Sequence, residues 1–244
     1  MPLLQIKNVS KRFGGLRAVN DVSFGVERGE MTFMVGPNGA GKTTLFNLIT
    51  GVFPIDSGTI IFDGQDISRI TPDKAAKLGI GRTFQIMKPL RNLTVLENVM
   101  LGAFLHTSSS KVAERESAAT LRFLQMEKVM HLPARGMGLP MLKRLEIARA
   151  LATKPKLILL DEVVAGLPTS EALKLADLLK RLSEWGIAAV GGVEHVMPVV
   201  MKLADRVVVL DHGSKIAEGK PQDVVRLPEV IEAYLGPKYK EIIQ

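Results

Sequence analysis

The N-terminal quarter of the chain has the two-residue periodicity of strands. Apolar and polar side chains alternate over residues 3–9, and residues 22–26 continue this pattern as the expected partner strand. After a turn at residues 54–58, an apolar run at 59–62 leads into an Asp-Gly dipeptide, which is typical of a tight hairpin turn. These patterns predict a small antiparallel β subdomain at the N-terminus.

Continuous apolar runs and helical patterns alternate through the second half of the chain. Residues 156–162 form an apolar run that ends in two acids, as expected of a parallel strand buried on both faces. Helical spacing follows over residues 170–185, and apolar runs return at 187–190 and 206–210, the last one before another hairpin turn. Such alternation predicts an α/β fold with a mostly parallel core sheet.

A helical segment interrupts this alternation at approximately residues 87–150. A Thr-x-x-Glu capping box at residues 94–97 precedes an apolar helix. Residues 106–117 are rich in serine and charge, which predicts a loop or a frayed helical connection, and a helical pattern resumes at about 117–131. We therefore expect one domain over residues 1–244, with a helical subdomain inserted in the α/β core.

A glycine-rich loop lies between an apolar run at residues 31–35 and a helical pattern at 44–49, the strand–helix context of a phosphate-binding loop. Glycines let the backbone approach a ligand closely, so that consecutive N–H groups face phosphate oxygens near the positive end of a helix. A flexible glycine turn is the alternative, which the Lys-Thr pair disfavours. The sequence therefore predicts nucleoside triphosphate binding by Gly36, Pro37, Asn38, Gly39, Ala40, Gly41, Lys42, Thr43 and Thr44.

Composition narrows the class of protein. With 244 residues, 46% of them apolar and 23% charged, the chain can bury a substantial core. It has no cysteine, which excludes disulfides and thiolate metal sites and fits a reducing compartment, and no apolar stretch is long enough to predict a membrane span. The net charge of +7 favours anionic partners, but no basic run is interleaved with aromatic residues, which argues against nucleic acid as a partner.

Four polar residues follow the loop in an informative order. Gln85 offers an amide oxygen that can ligate Mg²⁺ or orient a water, and Asp161, at a strand end, can hold Mg²⁺ through water. The adjacent Glu162 can accept a proton from attacking water, and His195 can contact a γ-phosphate. Each alone also fits an ordinary role, as a surface amide, a helix cap or a structural histidine. Their order after the loop lysine favours the catalytic interpretation.

This order resembles the nucleotide-binding domain of an ATP-binding-cassette (ABC) transporter, a P-loop NTPase fold, over essentially the whole chain. Residues 36–43 match Walker A, Gln85 the Q-loop, residues 157–162 Walker B, and His195 the switch histidine. Further segments resemble the ATPase subunits of branched-chain amino acid importers, namely residues 10–19, 82–85, 93–99, 144–151, 194–197 and 230–236.

The resemblance implies two cofactors, ATP and Mg²⁺, and a role for each matched residue. The implied Mg²⁺ ligands are Thr43, Gln85 and, through water, Asp161. The implied catalytic residues are Lys42, Gln85, Glu162 and His195. Phe13 would stack on adenine with Val19 beneath the ring, although core packing is the alternative for Phe13 without the resemblance.

The chain departs from the family at its signature segment. Residues 137–141 read Met-Gly-Leu-Pro-Met where the family has Leu-Ser-Gly-Gly-Gln, so the serine hydroxyl is missing and Pro140 has no N–H to donate. We expect the following helix to begin at about Leu142. Loss of a donor to developing phosphate charge costs on the order of 10²-fold in rate. Residues 163–168 and Val196 also differ from the usual pattern.

The resemblance implies an ATP-hydrolysing subunit of an importer for branched-chain or other hydrophobic amino acids. Expected partners are membrane permease subunits, a second ATPase subunit (identical or different) and, indirectly, a solute-binding protein. The expected location is the cytoplasmic face of the membrane, as a peripheral subunit that is soluble when isolated. The sequence leaves the solute and the permease open.

Other functions remain alternatives. A weakly hydrolysing assembly module could pair with a sister ATPase that carries an intact signature. A P-loop GTPase would need an Asn-Lys-x-Asp motif, which is missing, and ABC proteins of DNA repair or translation need a coiled coil or a second cassette. Within the helical insertion, candidates for docking a permease helix are Leu90, Leu93, Leu96 and Val99, with packing of the lobe's own core as the alternative.

Overall fold

The structure, a computed structural model, describes residues 1–84, 88–192 and 197–235. Within these ranges the strands form a four-stranded and a six-stranded sheet. The strands are β1 Leu4–Phe13, β2 Leu16–Val26, β3 Met31–Val35, β4 Ser57–Phe62, β5 Gln65–Asp66, β6 Ile80–Arg82, β7 Leu157–Asp161, β8 Ala188–Gly192, β9 Arg206–Asp211 and β10 Ser214–Gly219.

Helices connect and cover these sheets. The helices are α1 Lys42–Ile49, α2 Pro72–Leu78, α3 Val95–Ala103, α4 Ser110–Phe123, α5 Leu139–Leu151, α6 Thr169–Lys180, α7 Met197–Leu203, α8 Pro221–Val224 and α9 Pro228–Leu235, with 3₁₀ turns at Glu127–Val129 and Ser183–Trp185. Within the described part of the chain, none of the helices is both long and apolar enough to cross a bilayer.

The four-stranded sheet is the predicted antiparallel subdomain, and the prediction is confirmed. Its order is β2-β1-β4-β5, and Leu4 pairs with Val26 on one side and with Phe62 on the other. The alternation predicted from the sequence holds at Leu4 and Ile6, and a register shift before Val9 then makes Val9 the next buried residue. All three side chains pack in a core shared with α1. The Asp-Gly dipeptide forms the turn between β4 and β5, as expected.

The six-stranded sheet is the predicted mostly parallel core. Its order is β10-β9-β3-β8-β7-β6; β9, β3, β8, β7 and β6 run parallel, and β10 returns antiparallel to β9. Every residue of β3 and β7 is buried, as expected of strands covered on both faces. Because parallel strands end at the same edge, the segments after β3 and β7 meet there.

The helical subdomain is built from α3, α4 and α5, which pack against one another. The predicted capping box at α3 is confirmed. The Thr94 hydroxyl accepts a hydrogen bond from the Glu97 backbone N–H, and the Glu97 carboxylate accepts one from the Thr94 backbone N–H. Leu96 and Val99, two of the proposed docking residues, are 6% and 0% exposed and belong to the core, so the packing alternative is correct for both. Leu90 is 45% exposed.

The expected loop or frayed connection at residues 106–117 is wrong for most of that segment. Helix α4 begins at Ser110, where the Ser109 hydroxyl caps it by accepting a hydrogen bond from the Val112 N–H. Its charged residues occupy the exposed side, while Ala113 and Leu121 are fully buried at helical spacing. Most of the serine and charge content that suggested a loop is therefore the cap and the solvent face of a helix, although Ser117 is buried.

One arginine ties the two sheets together. Arg206, the first residue of β9, donates from Nε to Glu30 Oε1 at 2.7 Å, and it also contacts Glu218 and the Gly25 carbonyl of β2. Burial alone would raise the pKa of Glu30, but hydrogen bonds from Arg206 and from the Glu27 backbone hold that pKa below its usual value of 4.5. Glu30 is therefore ionised and stabilising near neutral pH.

Replacing Glu30 by glutamine is expected to lower the free energy of unfolding at neutral pH by about 1.5–3 kcal/mol, the range for a hydrogen bond to a charged group. Because the folded-state pKa of Glu30 is lowered, its carboxylate stabilises the fold above the unfolded-state pKa, and this contribution is lost as pH falls through the folded-state pKa. Urea denaturation at about pH 7 and about pH 3 measures both limits.

The exposed Glu184 provides the matched control, and Glu184→Gln should leave stability unchanged at either pH. Wild type and Glu30→Gln should converge at acid pH. A difference between them that is as large at acid pH as at neutral pH would contradict the assigned role of the carboxylate.

Candidate nucleotide-binding site

The phosphate-binding loop connects β3 to α1 and is held by two glycines that no other residue can replace. Gly36 and Gly41 have φ angles of +150° and +100°. A Cβ at Gly36 would lie 2.0 Å from the Leu210 carbonyl oxygen, and one at Gly41 would lie 2.4 Å from that of Ala18. These glycines are therefore required by a close approach of the loop backbone to the neighbouring strands β9 and β2, and the predicted approach to a ligand stays a prediction.

The Lys42 side chain folds back onto the phosphate-binding loop. Its ammonium donates to the carbonyl oxygens of Gly36 at 2.7 Å and of Pro37 at 3.0 Å. Both contacts hold the positive charge at the amino end of α1, where the helix dipole also favours an anion. The ammonium is thus positioned to exchange loop carbonyls for phosphate oxygens.

A cleft of about 430 Å³ opens beside the loop, a volume suited to a small ligand. It brings Glu162, from the end of β7, to the same cavity as Lys42 and Thr43, as the motifs predicted. A larger cavity of about 600 Å³ between the β4–β5 hairpin and α2 is lined by none of the motif residues that the structure describes, so volume alone does not mark the site. The cleft is lined by Leu16, Arg17, Ala18, Asn38, Gly39, Ala40, Gly41, Lys42, Thr43, Thr44, Glu162 and His212.

Asp161 is a buried carboxylate at the end of β7. Its oxygen Oδ2 lies 3.2 Å from a guanidinium nitrogen of Arg82, and its backbone N–H donates to the Thr83 hydroxyl at 2.9 Å. Burial raises the pKa of Asp161 and the neighbouring Glu162 adds to this, whereas Arg82 acts in the opposite direction. The carboxylate is therefore held in place by Arg82 in a buried position at the end of β7.

The residues predicted to hold Mg²⁺ fit that ion. Mg²⁺ prefers hard oxygen ligands, and Thr43 and Asp161 supply a hydroxyl and a carboxylate. The Asp161 carboxylate is buried, and burial raises its pKa, so a divalent cation bound there would favour the charged form. Gln85, the third predicted ligand, lies outside the described residues.

Glu162 differs from Asp161 in both backbone and environment. Its φ of +52° is in the left-handed region, which costs a non-glycine residue about 1–3 kcal/mol. Lys143 donates to its backbone carbonyl at 2.6 Å and supports this conformation. Glu162 lines the cleft while Asp161 stays buried, so the two adjacent acids face different surroundings.

Phe13 and Val19, expected around an adenine ring, are in different environments. Phe13 is 41% exposed, packs edge-to-face against Phe53 at 5.2 Å and has the Lys11 ammonium 5.5 Å from its ring centroid. Val19 is 1% exposed and packs in the core, and it is the preceding Ala18 that lines the cleft. Phe13 thus has a surface for stacking, and the adenine roles of both residues stay predictions.

His212 and Tyr234 are residues near the loop that the sequence interpretation missed. His212 occupies the β9–β10 turn with a φ of +44° and lines the cleft. Burial raises the pKa of Tyr234 in α9, and a hydrogen bond with the Gly36 backbone opposes that shift. His212 could have been found from its position directly after β9, because β9 runs parallel to β3 and parallel strands end at a common edge.

Two predicted catalytic residues lie outside the described part of the chain. Gln85 follows Phe84 at the end of a described range, and His195 lies between β8 and α7. Their roles stay predictions.

The signature segment forms a helix that begins earlier than expected. Helix α5 starts at Leu139, so the expected start at about Leu142 is wrong. Pro140 is tolerated because it lies in the first turn, where its missing N–H breaks no intrahelical bond. Gly138 is the N-cap and makes no side-chain capping bond. The helix terminus and its dipole are kept, whereas the hydroxyl of the usual serine is absent.

Comparisons with known proteins agree with these motifs. Residues 19–165 match the family model described as ABC transporter, and residues 214–236 match one described as branched-chain amino acid ATP-binding cassette transporter. The probable branched-chain amino acid transport ATP-binding protein LivG of Archaeoglobus fulgidus is 37% identical, over 99% of this chain and 98% of its own length.

Solved structures agree as well. An ATP-binding cassette of an ABC transporter in its ADP conformation is 33% identical with a TM-score of 0.88, over 97% of this chain and 99% of that one. A dimeric ATP-binding cassette in a post-hydrolysis state with ADP and phosphate is 27% identical with a TM-score of 0.80, over 89% of this chain and 98% of that one. The chain therefore belongs to the ABC transporter family, as an ATP-hydrolysing, ATP-binding subunit of the branched-chain amino acid type.

Proposed function

We propose that this subunit couples ATP hydrolysis to the import of branched-chain or other hydrophobic amino acids through a membrane permease. The observation that carries the proposal is the cleft that joins Lys42, Thr43 and Glu162, in a chain whose named relative is a branched-chain amino acid transport protein. Import would also require a solute-binding protein outside the membrane. The subunit would act at the cytoplasmic face, as a peripheral component.

In this proposal the loop binds the phosphates of ATP, and the residues at the strand ends take part in its hydrolysis. The backbone N–H groups of the loop and the Lys42 ammonium bind the phosphates, and Glu162 accepts a proton from the attacking water. Thr43, Gln85 and, through water, Asp161 would hold Mg²⁺, which would neutralise phosphate charge there. His195 contacts the γ-phosphate, and Phe13 stacks on the adenine.

The permease would dock in an apolar groove between the helical subdomain and the α2–β6 region. This groove has a volume of about 350 Å³. Three of its lining residues are large and exposed, namely Val52 (45%), Phe84 (54%) and Leu101 (47%). Exposed apolar side chains gathered in one groove are expected where a partner helix binds. Since Leu96 and Val99 are buried, this groove replaces them as the docking surface.

We further propose that the partner ATPase is a different subunit with an intact signature. In this family each signature faces the γ-phosphate bound by the opposite subunit, and Gly138 offers no hydroxyl for that contact. The next residue, Leu139, packs over Gly166 in the turn after β7. A Cβ added to Gly166 would lie 3.1 Å from the Leu139 Cδ2 atom. The partner's intact signature would then complete the site built on this chain's own Walker motifs, and that site would stay active. Weak hydrolysis by the isolated chain is the alternative function that this arrangement also supports.

Glu162→Gln is expected to reduce ATP turnover by at least about 100-fold while leaving nucleotide affinity nearly unchanged, because the amide cannot accept the proton. Steady-state hydrolysis and binding of a fluorescent ATP analogue, both with Mg²⁺, measure the two effects separately. Glu184→Gln is the matched control for an exposed glutamate. Turnover within a few-fold of wild type would exclude Glu162 as the general base.

The double substitution Gly138→Ser and Pro140→Gly is expected to raise hydrolysis by the isolated chain by about 10–100-fold, because it returns a hydroxyl and an N–H donor to the helix terminus. The measurement is the rate per subunit at increasing protein concentration, which also reports dimerisation. If wild type already matches the restored variant, the need for a different partner subunit is refuted.

Leu101→Glu is expected to abolish co-purification with the permease without changing ATP affinity, since a charge in the groove opposes burial of an apolar helix. Leu132→Glu is the control, because Leu132 is 52% exposed and does not line the groove. Retention of the permease by Leu101→Glu, or its loss with Leu132→Glu, would place docking elsewhere.

A further inference from the structure

The side chain of Arg82 connects three elements around the nucleotide site. It extends from the end of β6, and its guanidinium donates to Asn47 Oδ1 at 2.6 Å and to the Thr50 hydroxyl at 3.3 Å, at the carboxyl end of α1. A second guanidinium nitrogen lies 3.2 Å from Asp161 Oδ2 on β7. The helix that follows the phosphate loop and the Walker B acid are thus joined through one buried side chain.

The same guanidinium also contacts the apolar groove. Its central carbon lies 5.8 Å from the ring centroid of Phe46 in the core and 5.3 Å from that of Phe84. Phe84 is 54% exposed and lines the groove together with Arg82. A helix that fills the groove must therefore contact or displace the ring that covers Arg82.

The contacts of Arg82 fix the plane of its guanidinium but do not use all of its hydrogen-bond donors. Its Nε is buried, yet it has no hydrogen-bond partner among the described residues. A guanidinium presents five donors in a rigid fork, so a small rotation exchanges one acceptor for another. A shift of the Phe84 ring is therefore able to change the geometry of the bond to Asp161.

We propose that Arg82 is a positioning residue that couples occupancy of the groove to the availability of Asp161 for the divalent cation. With the groove empty, Arg82 holds Asp161 and competes with the cation for the carboxylate. When the Phe84 ring moves, the guanidinium moves with it and the carboxylate is released. The inference rests on the proposed permease docking in this groove, since that docking is what would move the ring.

A double-mutant cycle on the purified full chain tests this coupling without any permease. The variants are Phe84→Leu, Arg82→Lys and the combination, and the readout is the Mg²⁺ concentration that half-saturates the Mg²⁺-dependent binding of a fluorescent ATP analogue. Arg82→Lys keeps a positive charge beside Asp161 but loses the rigid fork. Affinity for the analogue without Mg²⁺ is recorded in parallel, because a merely structural defect would change that as well.

Phe84→Leu is expected to lower the half-saturating Mg²⁺ concentration by about fivefold or more, the lower range of a coupling between sites. Arg82→Lys should lower it similarly, and the double variant should show no further shift, because both changes act through one contact. Affinity without Mg²⁺ should stay within about twofold in every variant. This pattern would establish the coupling.

Two controls match these changes. Phe104→Leu alters a ring that is 41% exposed and does not line the groove, and Arg144→Lys alters a buried arginine that donates to the Leu124 carbonyl and does not line the groove either. Neither should shift the Mg²⁺ dependence. If Arg82→Lys is too unstable to assay, Asn47→Ala replaces it, since this change loosens the guanidinium while leaving the charge beside Asp161.

Two results would overturn the proposal. One is an unchanged Mg²⁺ dependence in both single variants, which would leave Arg82 as a structural ion pair. The other is a full effect of Phe84→Leu in the Arg82→Lys background, which would assign the effect to the chain leading into Gln85. Failure of the permease assignment is recognised separately, because Leu101→Glu would then retain the permease whatever the cycle shows.

Discussion

The close backbone approach at Gly36 and Gly41 is the constraint on which the site depends. At each position a side chain would collide with a main-chain carbonyl, that of Leu210 in β9 or of Ala18 in β2. The loop is therefore enclosed by both sheets, and its shape is correct only when the sheets are correctly seated on each other. Arg206, which joins β9 to β2 and to Glu30, contributes to that seating from a position well outside the cleft.

The second requirement is electrostatic. Asp161 must be ionised to hold a cation, yet it lies in a region where burial disfavours the charge. Arg82 offsets part of that cost, and it does so with a side chain that also packs against aromatic rings, where a weakly hydrated guanidinium is tolerated better than an ammonium. An arginine at this position therefore satisfies charge and packing together. The same double role brings the groove into contact with the Walker B strand.

The parts that the sequence predicted are those with local signals. The loop between β3 and α1, the acids after β7 and the capping box at α3 each depend on neighbours within a few residues. The contacts of Arg82 with Asp161 and of Arg206 with Glu30 join residues 79 and 176 positions apart, so only the sheet order brings them together. His212 enters the cleft for the same reason. Helix α5 begins at Leu139, before the predicted start at about Leu142, because its first turn accommodates Pro140.

The signature segment separates two properties that usually occur together. A helix N-terminus offers an anion both a dipole and individual hydrogen-bond donors, and α5 keeps the dipole while Gly138 supplies no hydroxyl. The dipole is weak and screened by salt, whereas a donor aimed at developing charge contributes far more to rate. A symmetric pair of these chains would therefore have two intact Walker cradles facing two weakened signatures. In the proposed pair with a subunit that carries the serine, one complete site would form on this chain's Lys42 and Glu162, and this is the physical reason to expect asymmetry.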